Sequence, residues 1–315
     1  MKKFTLLFSV AVLVVNLFFL SGAFAEQSVI AVSFPGSVEF FSVERKGMDQ
    51  AAKDYGLQVI YADAEWDAGK QLSQVENFVA KGVDLILLCA ADNKALIPAV
   101  AASNEAGIPL ITFTNVVGPN PDGKFKGVIS FIGINEINLG RLLGEMAEKL
   151  LGDKPADIVL IEGTPGTPPQ RMRTQGFKEI VAKHPNWKIV YSQSIPGWTK
   201  EGSLAAMEAF LQTGKKVDLV TCHWHAAASA VATALEEAKY PSKVFVTGLE
   251  FSRELIPYIK NGKVDMTSNY SIFEAGYKAM EAAAKHLKGE KIPDFIELDV
   301  TIVSKDNVDQ IEPEL

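Results

Sequence analysis

The chain is predicted to be an α/β protein built from two consecutive, doubly wound parallel-sheet lobes. Three observations carry this. After residue 28, short β-branched apolar runs alternate with longer stretches of helical periodicity. Glycines stand just past several of those stretches, at Gly56, Gly82 and Gly107, where a helix ends most easily in a left-handed residue. The alternation then starts afresh near Leu139 and runs for a similar length, as two parallel sheets with helices on both faces require.

In the first unit, strands are predicted at Val29–Ser33, Gln58–Ala62, Leu85–Cys89, Leu110–Phe113 and Gly127–Phe131. Helices are predicted between them at Phe41–Tyr55, Ala68–Lys81 and Asn93–Glu105. The second unit reads helix Leu139–Leu151, strand Ile158–Ile161, helix Arg173–Lys183, strand Lys188–Gln193, helix Lys200–Thr213 and strand Leu219–Cys222. It continues with helix Ala226–Ala238, strand Val244–Thr247, helix Arg253–Lys260, strand Val264–Tyr270 and helix Phe273–Leu287, then a final extended run, Phe295–Val303. No Gly- or Ser-rich tether separates the units, so strand-like crossovers forming a stiff hinge are expected. Ligands of open parallel sheets sit beyond the carboxyl ends of the strands. Two such sheets face to face share one cleft, which a hinge closes.

The first 25 residues read as a secretory signal. Lys2 and Lys3 lead an apolar run, Phe4–Leu20, and Ser21-Gly22-Ala23-Phe24-Ala25 ends in an Ala-x-Ala pattern, placing cleavage before Glu26. An uncleaved anchor is disfavoured by the shortness of the run and the small residues at its exit. No Cys follows, which argues against a lipid anchor, so a free periplasmic protein is expected. Without Lys2 and Lys3 the 31 basic residues fall to 29 against 38 acidic ones, a net charge of −9. Such a surface repels nucleic acid. Cys89 and Cys222 each end a predicted strand, in different units; a bridge between them would lock lobes expected to move, and buried free thiols are the preferred reading.

Four segments together resemble the ribose- and galactose-type periplasmic binding proteins, from Val29 to about Lys305. They are Ile30-Ala31-Val32-Ser33 with Glu39-Phe40-Phe41 and Gly47; Ala80-Lys81-Gly82-Val83-Asp84-Leu85-Ile86-Leu87 followed by Ala106-Gly107-Ile108-Pro109-Leu110-Ile111-Thr112; Gly163-Thr164-Pro165-Gly166-Thr167 with Arg171, Arg173, Gly176 and Phe177; and Val246-Thr247-Gly248-Leu249-Glu250 with Lys260-Asn261-Gly262-Lys263. The resemblance implies a type I periplasmic binding protein fold with a three-crossover hinge. Its N-terminal lobe would comprise residues 26–133 plus 271–297, its C-terminal lobe residues 134–270 plus 298–315. It also implies a monomer without a cofactor, holding a sugar or sugar-like polyol for an inner-membrane ABC permease or, alternatively, for a chemoreceptor or sensor kinase. Repressors of the lac type share the fold but carry a DNA-binding segment where this chain has its export signal.

The same resemblance assigns candidate ligand contacts. Phe40 and Phe41 correspond to aromatics that lie on a sugar face, with Trp198 opposite. Arg173, with Arg171 as its competitor, corresponds to an arginine reaching ring oxygens. Glu250 stands where the family usually has Asp. One of Asn269 and Tyr270 replaces a family amide, and strand alternation lets only one face the cleft. Two places depart from the family. An Asp-Arg pair is replaced by Thr114-Asn115, and an Asn-Asp pair by Cys222-His223-Trp224-His225, which points to a larger, less hydroxylated or anionic ligand. Trp66, at the end of the second strand, either overhangs the cleft or, the more ordinary reading, occupies a surface loop. Replacing Arg173 by Ala is expected to weaken binding strongly and to leave unliganded melting nearly unchanged.

A metal site at Cys222, His223 and His225 is the main competitor in chemistry. Its weakness is number: a soft-metal site needs three or four converging ligands, and the remaining histidines, His184 and His286, lie on distant helices. An enzyme is disfavoured because no nucleophile elbow, P-loop or dinucleotide fingerprint is present, and Gly163-Thr164-Pro165-Gly166-Thr167 lacks the lysine of a phosphate loop.

Overall fold

The computed structural model describes residues 27–315. The predicted export signal, residues 1–25, and its cleavage before Glu26 lie outside them.

The first lobe opens β1 (Val29–Phe34), α1 (Glu39–Tyr55), β2 (Gln58–Asp63), α2 (Ala68–Lys81), β3 (Leu85–Leu88), α3 (Ile97–Glu105), β4 (Leu110–Phe113) and β5 (Phe131–Gly133). The second follows with α4 (Glu136–Leu151), β6 (Ala156–Glu162), α5 (Pro168–Val181), β7 (Trp187–Ser194), a 3₁₀ turn Pro196–Trp198, α6 (Lys200–Gln212), β8 (Leu219–Cys222) and α7 (His225–Glu237). Then come β9 (Phe245–Thr247), α8 (Leu255–Lys260), β10 (Met266–Asn269), α9 (Ile272–Leu287), β11 (Phe295–Glu297) and β12 (Thr301–Ser304).

One sheet has the order β11-β5-β4-β3-β1-β2, the other β12-β10-β9-β8-β6-β7. Every pairing is parallel except β12 with β10. The chain therefore passes between sheets three times: after β5, after β10 and between β11 and β12. That is the two-lobe, three-crossover architecture. The run read from sequence as one strand, Phe295–Val303, is two short strands in different sheets. A continuous apolar stretch carries no mark of the point where it changes partner.

Strand composition explains the layering. Leu85–Leu88 is buried on both faces, as an interior strand of a parallel sheet must be. Its side chains alternate: Leu85 and Leu87 pack with Ile30, Val32 and Met48 on one face, Ile86 and Leu88 with Val75 and Leu96 on the other. Several helix starts are set by side-chain caps. Asn135 accepts from the Ile137 and Asn138 amides at 3.1 and 3.2 Å, and Ser271 from Glu274 at 3.0 Å. Thr167 caps α5, whose first turn holds Pro168 and Pro169; proline fits there because those N–H groups have no intrahelical partner. The sequence reading began that helix five residues too late. The strand predicted over Gly127–Phe131 is β5, which starts only at Phe131: Gly127 has φ +95° and its carbonyl accepts from Asn104.

In each lobe two helices approach so closely that only glycine fits between them. A Cβ on Gly47 would lie 2.0 Å from the Phe273 carbonyl oxygen, and one on Gly276 1.9 Å from that of Glu44. In the second lobe, Gly140 stands 2.1 Å from the Arg173 oxygen and Gly176 2.0 Å from that of Ile137 by the same measure. The contacts join α1 to α9 and α4 to α5.

Candidate functional site

The carboxyl ends of the two sheets face one cavity of about 370 Å³, within the range of small-molecule sites, roughly 300–1,000 Å³. The first lobe contributes the β1–α1 loop and its helix start, the loop after β2, and Thr114-Asn115 after β4. The second contributes α5, the 3₁₀ turn, the β8–α7 junction, Glu250 after β9 and Tyr270 at the crossover.

Aromatic rings form much of the wall. Phe40 and Phe41 meet edge to face with centroids 5.3 Å apart, and Phe40 reaches Tyr270 at 6.2 Å. Phe41 contacts Trp66 at 6.2 Å. Across the cleft, Trp198 and Trp224 form a T-shaped pair at 5.1 Å. Two of these tryptophans are seated alike. Trp66 lies over Gly36, just past β1, and Trp198 over Gly163, just past β6; a Cβ at either glycine would fall within 2.2 Å of the ring. Both tryptophans hold left-handed backbone, φ +65° and +55°, a conformation that costs about 1–3 kcal/mol for such a residue and concentrates at functional sites. Trp66, read from sequence as an ordinary surface residue, is half-buried and lines the cavity.

Arg173 is the central polar group. It is 3 % exposed. Its Nε and Nη2 donate to the two carboxylate oxygens of Glu136 at 2.6 and 3.1 Å, and Nη1 donates to the His223 carbonyl at 2.5 Å. Burial alone would push the guanidinium down; Glu136 facing it more than reverses this, and it stays charged. Burial likewise pushes the Glu136 carboxyl up, with Arg173 pulling against it, and the two-point geometry keeps the pair ionised. Glu250, also left-handed at φ +67°, places Oε1 3.9 Å from Arg173 Nη1 and Oε2 3.1 Å from His225 Nδ1. Three hydrogen bonds leave two guanidinium N–H groups of Arg173 without a protein acceptor.

Two further polar atoms on the wall have no protein partner although buried: Asn115 Oδ1 and Trp224 Nε1. Asn115 is fixed by its amide nitrogen, which donates to the Ala90 carbonyl at 2.8 Å. An unpaired buried polar atom costs about 1–3 kcal/mol, a cost that a new hydrogen-bond partner would remove. Behind this wall, Thr114 hydrogen-bonds Glu44, whose second oxygen is also unpaired. Burial pushes the Glu44 carboxyl up to about 8.

Of the residues singled out in the sequence, Phe40, Phe41, Asn115, Arg173, Trp198, Trp224, His225, Glu250 and Tyr270 line the cavity together. His223 and Asn269 do not. The His223 ring is fully buried, accepts from the Gly163 amide at 3.3 Å, and is held neutral by burial and by nearby Arg173. Asn269 is the last residue of β10 and is not part of the wall, whereas Tyr270, the next residue, is. Arg171 is likewise outside the cavity wall and reaches Asp92 and Asn93 of the first lobe. The metal reading at Cys222, His223 and His225 fails on geometry: the two imidazoles bond in different directions, and the Cys222 thiol is pushed up by complete burial. Among the described residues no group of three His, Cys, Asp or Glu side chains is placed to hold a metal ion.

Glu136 escaped sequence reading because nothing marks a helix-starting glutamate as an arginine's partner. Trp66 did leave a signal. It follows the second strand of its lobe by three residues, as Trp198 follows the second strand of the other by four.

Comparison with known proteins agrees with this geometry. The family profile described as "Periplasmic binding protein domain" matches residues 30–291. A ribose import binding protein of Haemophilus influenzae is 27 % identical over 97 % of this chain and all of its own length. One from Bacillus subtilis is 28 % identical over 80 % of this chain and 79 % of its own. An ABC transporter solute-binding protein from Bacillus halodurans, solved with myo-inositol, superposes with a TM-score of 0.82 at 28 % identity, covering 90 % of this chain and 96 % of its own.

Proposed function

The chain belongs to the periplasmic binding protein domain family, and from that premise we propose that it captures a carbohydrate-like small molecule by lobe closure and hands it to an ABC permease. The relatives are transport binding proteins rather than enzymes. One observation carries the reading. A cavity walled by both lobes joins aromatic faces to buried polar atoms without partners. Flat rings suit the C–H faces of a sugar or cyclitol, and its hydroxyl rim supplies the hydrogen bonds that Asn115, Trp224 and Arg173 lack.

In this mechanism the ligand settles on one lobe while the cleft is open. Closure brings the other wall over it, and the closed state gains only the contacts the second lobe adds. The lobes are joined by three crossover segments, and closure is a rotation about them. We read the protein as exported by its first 25 residues and released free into the periplasm, unlipidated.

Thermal melting of the mature protein against ribose, arabinose, galactose, myo-inositol and related polyols tests this. A binder at a hundred times its Kd stabilises by about 2.7 kcal/mol. A mature protein that no sugar, cyclitol or derivative stabilises overturns the reading.

A further inference from the structure

We propose that the cleft ligand is a cationic polyol, an amino sugar or aminocyclitol, bound with its ammonium group beside Glu250 and between indole faces. The inference deepens the reading of this cleft as a solute site and rests on it.

Charge is the first argument. Among the residues lining the cavity, Arg173 is the one Lys or Arg side chain, while Glu39 and Glu250 are both carboxylates. The Arg173 charge is already committed to Glu136, through two hydrogen bonds of 2.6 and 3.1 Å. Glu250 is left 3.9 Å from the same guanidinium, beyond hydrogen-bond distance, and only 8 % exposed. Its other contact is His225 Nδ1 at 3.1 Å. One Lys or Arg side chain thus stands against the buried carboxylates of Glu136 and Glu250. A carboxylate taken out of water without a full counter-charge is costly. A neutral sugar closing over it removes solvent and leaves the deficit; a ligand ammonium fills it.

The walls supply the second argument. A cation is drawn to the face of an aromatic ring, most strongly to indole, by about 0.5–2 kcal/mol. Trp66, Trp198 and Trp224 bring three indoles to one cavity, with Tyr270 near Glu250. The Arg173 guanidinium already lies 5.8 Å from the Trp198 ring centre. The hydroxyl side of the ligand is asked for independently: Asn115 Oδ1 and Trp224 Nε1, an acceptor and a donor, are both buried and unpaired. A simple alkylammonium has no acceptor to offer Trp224 Nε1, and a plain sugar nothing to Glu250 beyond a hydroxyl.

Isothermal titration with matched pairs tests the proposal: glucose and glucosamine, galactose and galactosamine, myo-inositol and an inosamine, with N-acetylglucosamine and N-acetylgalactosamine as uncharged nitrogen controls. In at least one pair the amine is expected to bind at least tenfold more tightly. Acetylation should abolish that advantage on the unaltered protein, and Glu250→Gln should reduce it to about threefold or less. If in every pair the neutral member binds as well or better, the ligand is not a cation and the proposal falls, while the solute-binding reading stands. An advantage that survives acetylation also overturns it, because charge is then not what is read. Silence from every compound sinks both readings together.

Discussion

Arg171 of the second lobe places Nη2 2.7 Å from Asp92 Oδ2 of the first, and its Nη1 donates to Asn93 at 2.7 Å. This contact bridges the lobes outside the cavity wall, so it belongs to the closed arrangement and not to the ligand. Arg171→Ala should weaken ligand binding without changing the unliganded melt. A partly exposed pair of this kind is worth at most about 1 kcal/mol, so the expected loss is twofold to fivefold in Kd by titration calorimetry. An unchanged Kd would mean the bridge does not contribute to closure.

Arg173→Ala should cost both affinity and stability. The sequence suggested that unliganded melting would be nearly unaffected; the pairing with Glu136 overturns this. Removing the guanidinium leaves a buried carboxylate alone, a change that typically costs about 3–5 kcal/mol. Thermal melts should show the loss, and the apolar double variant Arg173→Met with Glu136→Leu should recover most of it while still failing to bind.

Trp66→Ala and Trp198→Ala should each lower affinity by about tenfold, since an aromatic face is worth up to about 1.5 kcal/mol beyond its area. Equal effects from the two would match their equal seating on Gly36 and Gly163. Titration calorimetry with whichever sugar stabilises the protein reads the outcome; a neutral Trp66→Ala would return that residue to the ordinary surface.

Glu44 sets a pH dependence of stability. Its folded carboxyl is pushed from an ordinary 4.5 to about 8 by burial, so folding favours the protonated form. The contribution is fully present below about pH 4.5 and is lost as pH rises through about 8. The displacement corresponds to at most about 5 kcal/mol. Melting of the wild type should fall across pH 5–8 more steeply than that of Glu44→Gln, which should be the more stable of the two at pH 8. Parallel curves would refute the assignment.

Cys89 and Cys222 are both free, fully buried and in different sheets, with their thiols pushed up by burial. Neither should react with a thiol reagent in the native protein, and both should react in denaturant. Rapid native labelling of either would contradict the burial described.

The order of elements and the strand ends that carry the site were legible in the sequence, because hydrophobic period and helix-ending glycines are local signals. Phe40, Arg173 and Glu250 are placed beside the cleft by the family resemblance and not by a local signal; Arg173 itself lies within α5, well past the end of β6. What the sequence withheld is relational. That Arg173 rather than Arg171 enters the cavity depends on the rotation of α5, which the proline-led first turn and the Gly140 contact fix. That Glu44 and Arg173 are counterparts appears only when both lobes are folded. Each presents its backbone oxygen to a glycine of the neighbouring helix, Gly276 and Gly140 respectively. Tyr270 and Asn269 are neighbours in sequence, and only the pleat of β10 with its exit into the crossover decides between them.

Those glycine contacts divide the protein into parts that evolution or a designer can retune and parts that are closed to change. Apart from Arg173, the cavity wall is assembled from residues in the loops after the strands and in the first turns of helices, whose replacement alters what is recognised while leaving the scaffold in place. A methyl group at Gly140 or Gly276, by contrast, would drive a whole helix outward and carry Arg173 or Glu44 with it. New ligand preferences in this lineage should therefore arise by swapping the residues after the strands, with the small residues between helix pairs held constant. A binder or sensor built on this frame has its freedom at the rim of the sheets and none along the helix seams.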